Sequence, residues 1–309
     1  MLIVNAHLET LYPFPSMAFG GTLGNSLFYF VSGIGLTASF HRNPLPAFQW
    51  GKRRITKIII PLLIYIGLVN LGNLKGFVDE VFLLVIWHDI KQVASFLPVL
   101  WGLYLLFLPI NRLNATGTRN TLLVLMLATF ILFVYRIKTS SDISSGLPSS
   151  DIFFSLNALI CFMLGMYVIK KNDGFFSRKH TFLVAIASIA IVLFSQGMHH
   201  YIFTIDRKYI FMNFYFNFLT VIALYLLTTS VNLKVIDKFL PFMQEIALSS
   251  LAVFIVHGKI IDILKKTSIQ FPYNIACVYL YSFIFAYSLT KGSNYAGNYV
   301  LKRISPKEA

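Results

Sequence analysis

Residues 20–40 read GGTLGNSLFYFVSGIGLTASF, residues 41–57 HRNPLPAFQWGKRRITK and residues 58–71 IIIPLLIYIGLVNL. The first and third pieces are apolar, and the middle one holds Arg42, Lys52, Arg53, Arg54 and Lys57. Crossing roughly 30 Å of hydrocarbon takes about 20 apolar residues, and Lys and Arg collect in the loops that stay on the cytoplasmic side. The stretch therefore reads as two transmembrane helices joined by a short basic cytoplasmic loop, and it orients the rest of the chain.

Working outward, further apolar segments lie at Val93–Ile110, Thr121–Ile137, Ile152–Ile169, Thr181–Met198, Ile210–Ser230, Glu245–Leu264 and Tyr273–Thr290. Met1–Tyr12 is apolar apart from His7 and Glu9 and is too short to span, so it reads as a first transmembrane helix whose beginning precedes Met1. Phe77–Trp87 is also too brief to span and is expected on the membrane surface or folded into the bundle. The pattern predicts an all-α fold, a polytopic transmembrane bundle of about ten helices, forming a single domain over residues 1–309.

The orientation can be tested by counting. With the Arg42–Lys57 loop inside, alternate loops and the C-terminus bring the inside total to 17 Lys and Arg against 8 outside. That bias supports the alternation and a cytoplasmic C-terminus. Composition agrees, since 57% of the 309 residues are hydrophobic, only 12% are charged, and mean hydropathy is +0.71. A soluble domain carries about 25% charged residues. The net charge of +14 raises the question of nucleic acid, but the cations lie between apolar segments rather than along one face, so no nucleic-acid partner is expected. Cys161 and Cys277 lie in apolar segments away from any second ligand and imply neither a disulfide framework nor a metal site.

Ionisable side chains inside a membrane segment are costly and point to function. His7 and Glu9 fall toward the outer end of the first segment; His257, Lys259 and Asp262 fall in the outer half of Glu245–Leu264. Two distant segments thus put ionisable groups at similar depth, and a polar cluster near the outer face is expected. A histidine there can act as general base toward a hydroxyl, with Glu9 orienting it or holding its conjugate acid; the alternative is a buried imidazole satisfied by a neighbouring carbonyl. His199 and His200 fall at a loop boundary, and His88 and Asp89 adjoin the short run. The basic loop fits phosphate oxygens of a nucleotide-bearing donor, although topology alone or anionic lipid headgroups also account for it. Gly20-x-x-x-Gly24 fits close helix packing.

Together these patterns form a resemblance. Leu27-Phe-Tyr-Phe-Val-Ser-Gly-Ile-Gly-Leu36 resembles the FF-x-x-SG-x-x-L signature of the acyltransferase 3 family, and Lys52-Arg-Arg-Ile-Thr-Lys-Ile-Ile-Ile-Pro61 is similar to its basic loop. Leu100-Trp-Gly-Leu103, Phe162-Met-Leu-Gly-Met-Tyr167 and Ser249-Ser-Leu-Ala-Val-Phe-Ile-Val-His257 resemble three further elements, in the family's order. The resemblance implies an integral enzyme of the bacterial cytoplasmic membrane. Such an enzyme moves an acyl group, commonly acetyl, from acetyl-CoA or another acyl-CoA to a hydroxyl of a cell-surface glycan or lipid-linked sugar. It matches His7 to a histidine that is separated from a preceding arginine by ten intervening residues; here that arginine would precede Met1. On this reading His7 is the base, assisted by Glu9. Ser32 and His257 shape the centre, and Arg53, Arg54 and Lys57 hold the donor, with no metal. The competing readings are a glycan exporter or flippase using the same cavity without chemistry, and a proton-coupled transporter using His7 and Glu9.

Overall fold

The computed structural model describes residues 2–14, 17–86, 96–139, 149–171, 181–205, 212–230 and 240–304. Among these the chain is all-helical. Its elements are α1 Leu2–Ala6, α2 Gly21–Arg42, α3 Ala47–Val69, α4 Leu74–Ile86, α5 Phe96–Asn111, α6 Ala115–Thr139, α7 Ser149–Lys171, α8 Thr181–Ile205, α9 Met212–Ser230, α10 Leu240–Leu264 and α11 Tyr273–Ile304. Windows in α6 (Ala115–Leu132), α7 (Phe154–Lys171) and α11 (Tyr273–Tyr299) are long and apolar enough to cross a bilayer; Val99–Asn111, Leu183–Ser195 and Tyr215–Thr228 are shorter apolar helices. Leu123, Val124, Leu127 and Ile131 on α6 and Leu183, Ile186 and Leu193 on α8 are exposed, as side chains facing lipid are. The all-α class and the membrane character stand, while the described residues do not supply ten helices of spanning length.

Three expectations change. The basic stretch is mostly helix rather than loop: α3 begins at Ala47, so Lys52, Arg53, Arg54 and Lys57 lie in its first turns and only residues 43–46 connect it to α2. Lys and Arg are good helix formers, and the breakers are Pro44 and Pro46, the latter standing at the N-cap with extended ψ of 145°. At the other end, α1 stops at Ala6 and His7 lies in the turn after it. Finally, α8 continues through His199 and His200 to Ile205, and α11 continues past Thr290 to Ile304. His88, Asp89 and the Ser-rich loop at residues 140–148 lie outside the described residues.

Contacts divide the chain into two compact units, Met1–Gly21 with Leu45–Pro98 and Lys234–Ala309, and Thr22–Pro44 with Val99–Leu233. In the first unit α11 packs along α10 and against α3, α4 folds back on α3, and α1 rests on α10. The α3–α4 turn is set by Asn70, whose amide donates to the Ile66 carbonyl (3.0 Å) and to Glu80 (2.9 Å), and by Asn73, which caps α4 by accepting from the Gly76 N–H at 2.9 Å.

In the second unit α2 crosses α7 backbone to backbone. A Cβ on Gly33 would fall on the Phe162 carbonyl and one on Gly165 would fall on the Phe30 carbonyl, so only glycine fits at either position. Around this crossing Asn157 donates to Ser26 at 2.8 Å and Asn217 to Thr22 at 3.0 Å, tying α2 to α7 and α9. The hydroxyls of Ser195 and Thr220 join α8 to α9.

Candidate functional site

The first unit carries two chemically distinct places. One is built on the N-terminal segment. Asn5 on α1 donates to the carbonyls of Met17 (2.9 Å) and Phe19 (3.1 Å) and accepts from Tyr12 (2.6 Å) and from Tyr279 on α11 (3.4 Å). The Asn274 amide donates to the Leu11 carbonyl at 3.1 Å, Leu8 is fully buried, and Gly20 turns the chain at φ +89°, a conformation that glycine adopts readily. These contacts fold the N-terminal segment on itself, fasten it to α11 and fix the turn that holds His7.

From that turn His7 meets His257 of α10, their ring centroids 5.1 Å apart and the rings tilted by 42°. His7 is exposed, whereas His257 is 5% exposed. Nδ1 of His257 lies 2.7 Å from the Phe254 carbonyl and 3.2 Å from that of Val253. A carbonyl can only accept, so Nδ1 carries the hydrogen and, in the neutral ring, the lone pair is on Nε2. The aromatic ring of Phe254 packs against this imidazole at 5.6 Å and against Phe96 at 4.1 Å, so the histidine is held from two sides. The structure brings together two histidines separated by most of the sequence.

Glu9 is exposed two residues beyond His7 and makes no hydrogen bond to either imidazole among the described residues. Lys259 and Asp262 are exposed on α10. Ser32 belongs to the second unit, half-buried on α2 beside the Gly33 crossing.

The second place is a cavity of about 310 Å³ between α3 and α11. Arg53, Thr56 and Lys57 line it from α3, and Ser293, Asn294 and Asn298 from α11. Arg53 and Lys57 are one helical turn apart and so project from one face. Pro61, one turn further on, also lines the cavity, and as a proline it cannot donate to the Lys57 carbonyl. Arg54 is not part of the lining; its guanidinium lies over the Trp50 ring, 5.9 Å from the centroid. Two of the three cations expected to act together therefore share a cavity, and the third stacks on an aromatic ring.

Sequence reasoning missed Asn5 and the α11 wall of this cavity. The signal for the first is an amide in an otherwise apolar run. That for the second is the group Ser293, Asn294 and Asn298, which follows the apolar segment Tyr273–Thr290.

A family model described as an acyltransferase domain, that of acyltransferase 3, matches residues 1–291. No curated protein and no solved structure matches the chain.

Proposed function

Because the chain belongs to the acyltransferase 3 family, we propose that it moves an acyl group, in the simplest case acetyl, from a cytoplasmic acyl-CoA to a hydroxyl of a cell-surface polysaccharide or lipid-linked sugar. Membrane acyl transfer is the family's reaction class; the donor, the acyl group and the acceptor belong to the proposal. One observation carries it: a single compact unit holds both an imidazole pair suited to proton transfer and a cavity with two cations on one helical face.

His7, exposed and fixed by its turn, removes the proton of the acceptor hydroxyl as that oxygen bonds to the thioester carbonyl carbon. The C–S bond then breaks, and the proton held by the His7 imidazolium passes to the departing thiolate, which gives free CoA and restores the base. General base catalysis of this kind contributes about 10²–10⁴-fold. His257 holds its hydrogen on Nδ1 toward the Phe254 carbonyl and offers Nε2 beside His7. Two positive rings at this spacing repel, so the pair holds one proton at a time. Arg53 and Lys57 supply charge-assisted hydrogen bonds to donor phosphates. The basic excess in alternate loops supports a cytoplasmic donor side and C-terminus in a bacterial inner membrane, with membrane lipids as the surroundings.

The test is transfer of labelled acetyl from acetyl-CoA to surface glycan, in cells expressing the native gene with its upstream region and in cells expressing His7→Ala at the same membrane level. Label present with the native protein and lost with the variant is the expected result. Equal label in both overturns the role of His7, and a gene deletion that also leaves the label unchanged overturns acetyl transfer to this acceptor class.

A further inference from the structure

The α3–α11 cavity has two unlike walls. From α3 come Arg53 and Lys57, which are donors only and positively charged. From α11 come Asn294 and Asn298, also one turn apart, which are neutral and offer acceptors as well as donors, with Ser293 beside them, whose hydroxyl donates to the Thr290 carbonyl at 3.1 Å and keeps its oxygen as an acceptor. A phosphate can use only the donors of the second wall and leaves its amide oxygens without a partner. The pair of walls suits a ligand that is anionic at one side and, at the other, presents neutral groups that both give and take hydrogen bonds.

Size and exposure narrow the choice. About 310 Å³ is at the small end of ligand sites, which run from roughly 300 to 1,000 Å³. The space takes a nucleoside phosphate but not a whole acyl-CoA. Arg53, Lys57, Asn294 and Asn298 are exposed at its mouth, while Ser293 and Gly297 are buried beneath them. A Cβ added to Gly297 would come within 3.1 Å of the Thr56 methyl carbon, so the missing side chain is what leaves the floor open. The most polar end of the donor belongs at such a mouth.

We infer that Asn294 and Asn298, with Ser293, bind the nucleoside of a phosphorylated adenosine whose phosphates lie on Arg53 and Lys57, and so select the donor by its nucleotide end. This rests on the acyl-CoA reading given above. A phospholipid headgroup shares the phosphate chemistry but has less use for the amide wall, and the test must separate the two sources.

The experiment uses the full chain in nanodiscs of neutral phosphatidylcholine, with binding of labelled CoA challenged by adenosine 3′,5′-bisphosphate, pantetheine or pyrophosphate. The bisphosphate is expected to compete and pantetheine is not. Asn294→Leu and Asn298→Leu should each weaken CoA and the bisphosphate by about tenfold while leaving pyrophosphate unchanged, as loss of one ligand hydrogen bond does. Arg53→Gln should weaken all three. Asn294→Ser and Asn298→Ser serve the same purpose should a leucine variant fail to fold, and Gly297→Val should exclude CoA by filling the floor.

Unchanged CoA affinity in the amide variants, with Arg53→Gln still impaired, overturns the α11 assignment and leaves the acyl-CoA reading standing. Absence of CoA binding by the native protein overturns both. Binding that the bisphosphate fails to displace, and that is lost when phosphatidylglycerol replaces the neutral lipid, assigns the cavity to a lipid headgroup and overturns the inference.

Discussion

The two candidate places of the first unit and the helix crossings of the second use their polar side chains in opposite ways. In the second, Asn157 bonds Ser26, Asn217 bonds Thr22, and Ser195 meets Thr220, each pair joining one helix to another. Lys170 goes furthest: its ammonium donates to the carbonyls of Ile110 (3.0 Å) and Leu113 (2.8 Å) and to the Thr118 hydroxyl (3.1 Å). A cation there closes the C-terminal end of α5, where carbonyls lack helical partners and the helix dipole is negative. In the first unit His7, Arg53, Lys57, Asn294 and Asn298 are exposed at a turn or a cavity mouth. A polar residue in a membrane segment is therefore informative only once its hydrogen bonds have been counted. Where neighbouring helices use them it holds the bundle together, and where they face open space it is available to a substrate.

By that contrast, changes at the exposed groups of the first unit's two places alter turnover at constant stability, and changes at the helix crossings of the second do the reverse. The largest effect is expected from His7→Ala, which should lower acyl transfer by about 10²–10⁴-fold while the yield of monodisperse protein after detergent extraction stays the same; a fall in yield matching the fall in activity would erase the distinction. Next comes Gly33→Val or Gly165→Val, each forcing a side chain into a backbone carbonyl. Overpacking of this kind costs about 3 kcal/mol or more here, read as a lower melting temperature with turnover per folded molecule preserved. Lys170→Met should remove about 2 kcal/mol in the same thermal assay, because carbonyls at the end of α5 lose a charged donor; a change in the donor KM instead would make Lys170 part of the reaction. The smallest shift belongs to Ser26→Ala, at about 0.6 kcal/mol, the average for a hydrogen bond between membrane helices.

Much of the fold could be read from hydropathy, because the same apolar runs that shun water form the helices. The start of α3 could not. Arg53, Arg54 and Lys57 interrupt the apolar pattern without interrupting the helix, since hydropathy reports what a side chain touches and not how its backbone is bonded. The same confusion hid the last turns of α11, where Ser293, Asn294 and Asn298 continue the helix past the segment Tyr273–Thr290 that hydropathy alone marks out. For the site, His7 and His257 stood out as ionisable groups at matching depth, yet their adjacency depends on α1 packing against α10, a tertiary fact with no local signal. Arg54 reads as equivalent to Arg53 in sequence, and what distinguishes them is the rotation of about 100° between successive helical residues, which puts one at the cavity and the other over Trp50.

The tie between His257 and the Phe254 carbonyl also limits how protons can travel. A wire needs an imidazole that accepts at one nitrogen and releases from the other, then flips or re-tautomerises to start again. With Nδ1 anchored to its own helix at 2.7 Å, this ring has a single port. It can lend and recover a proton locally, as a transferase requires, but it is poorly built to conduct one from one side of a membrane to the other.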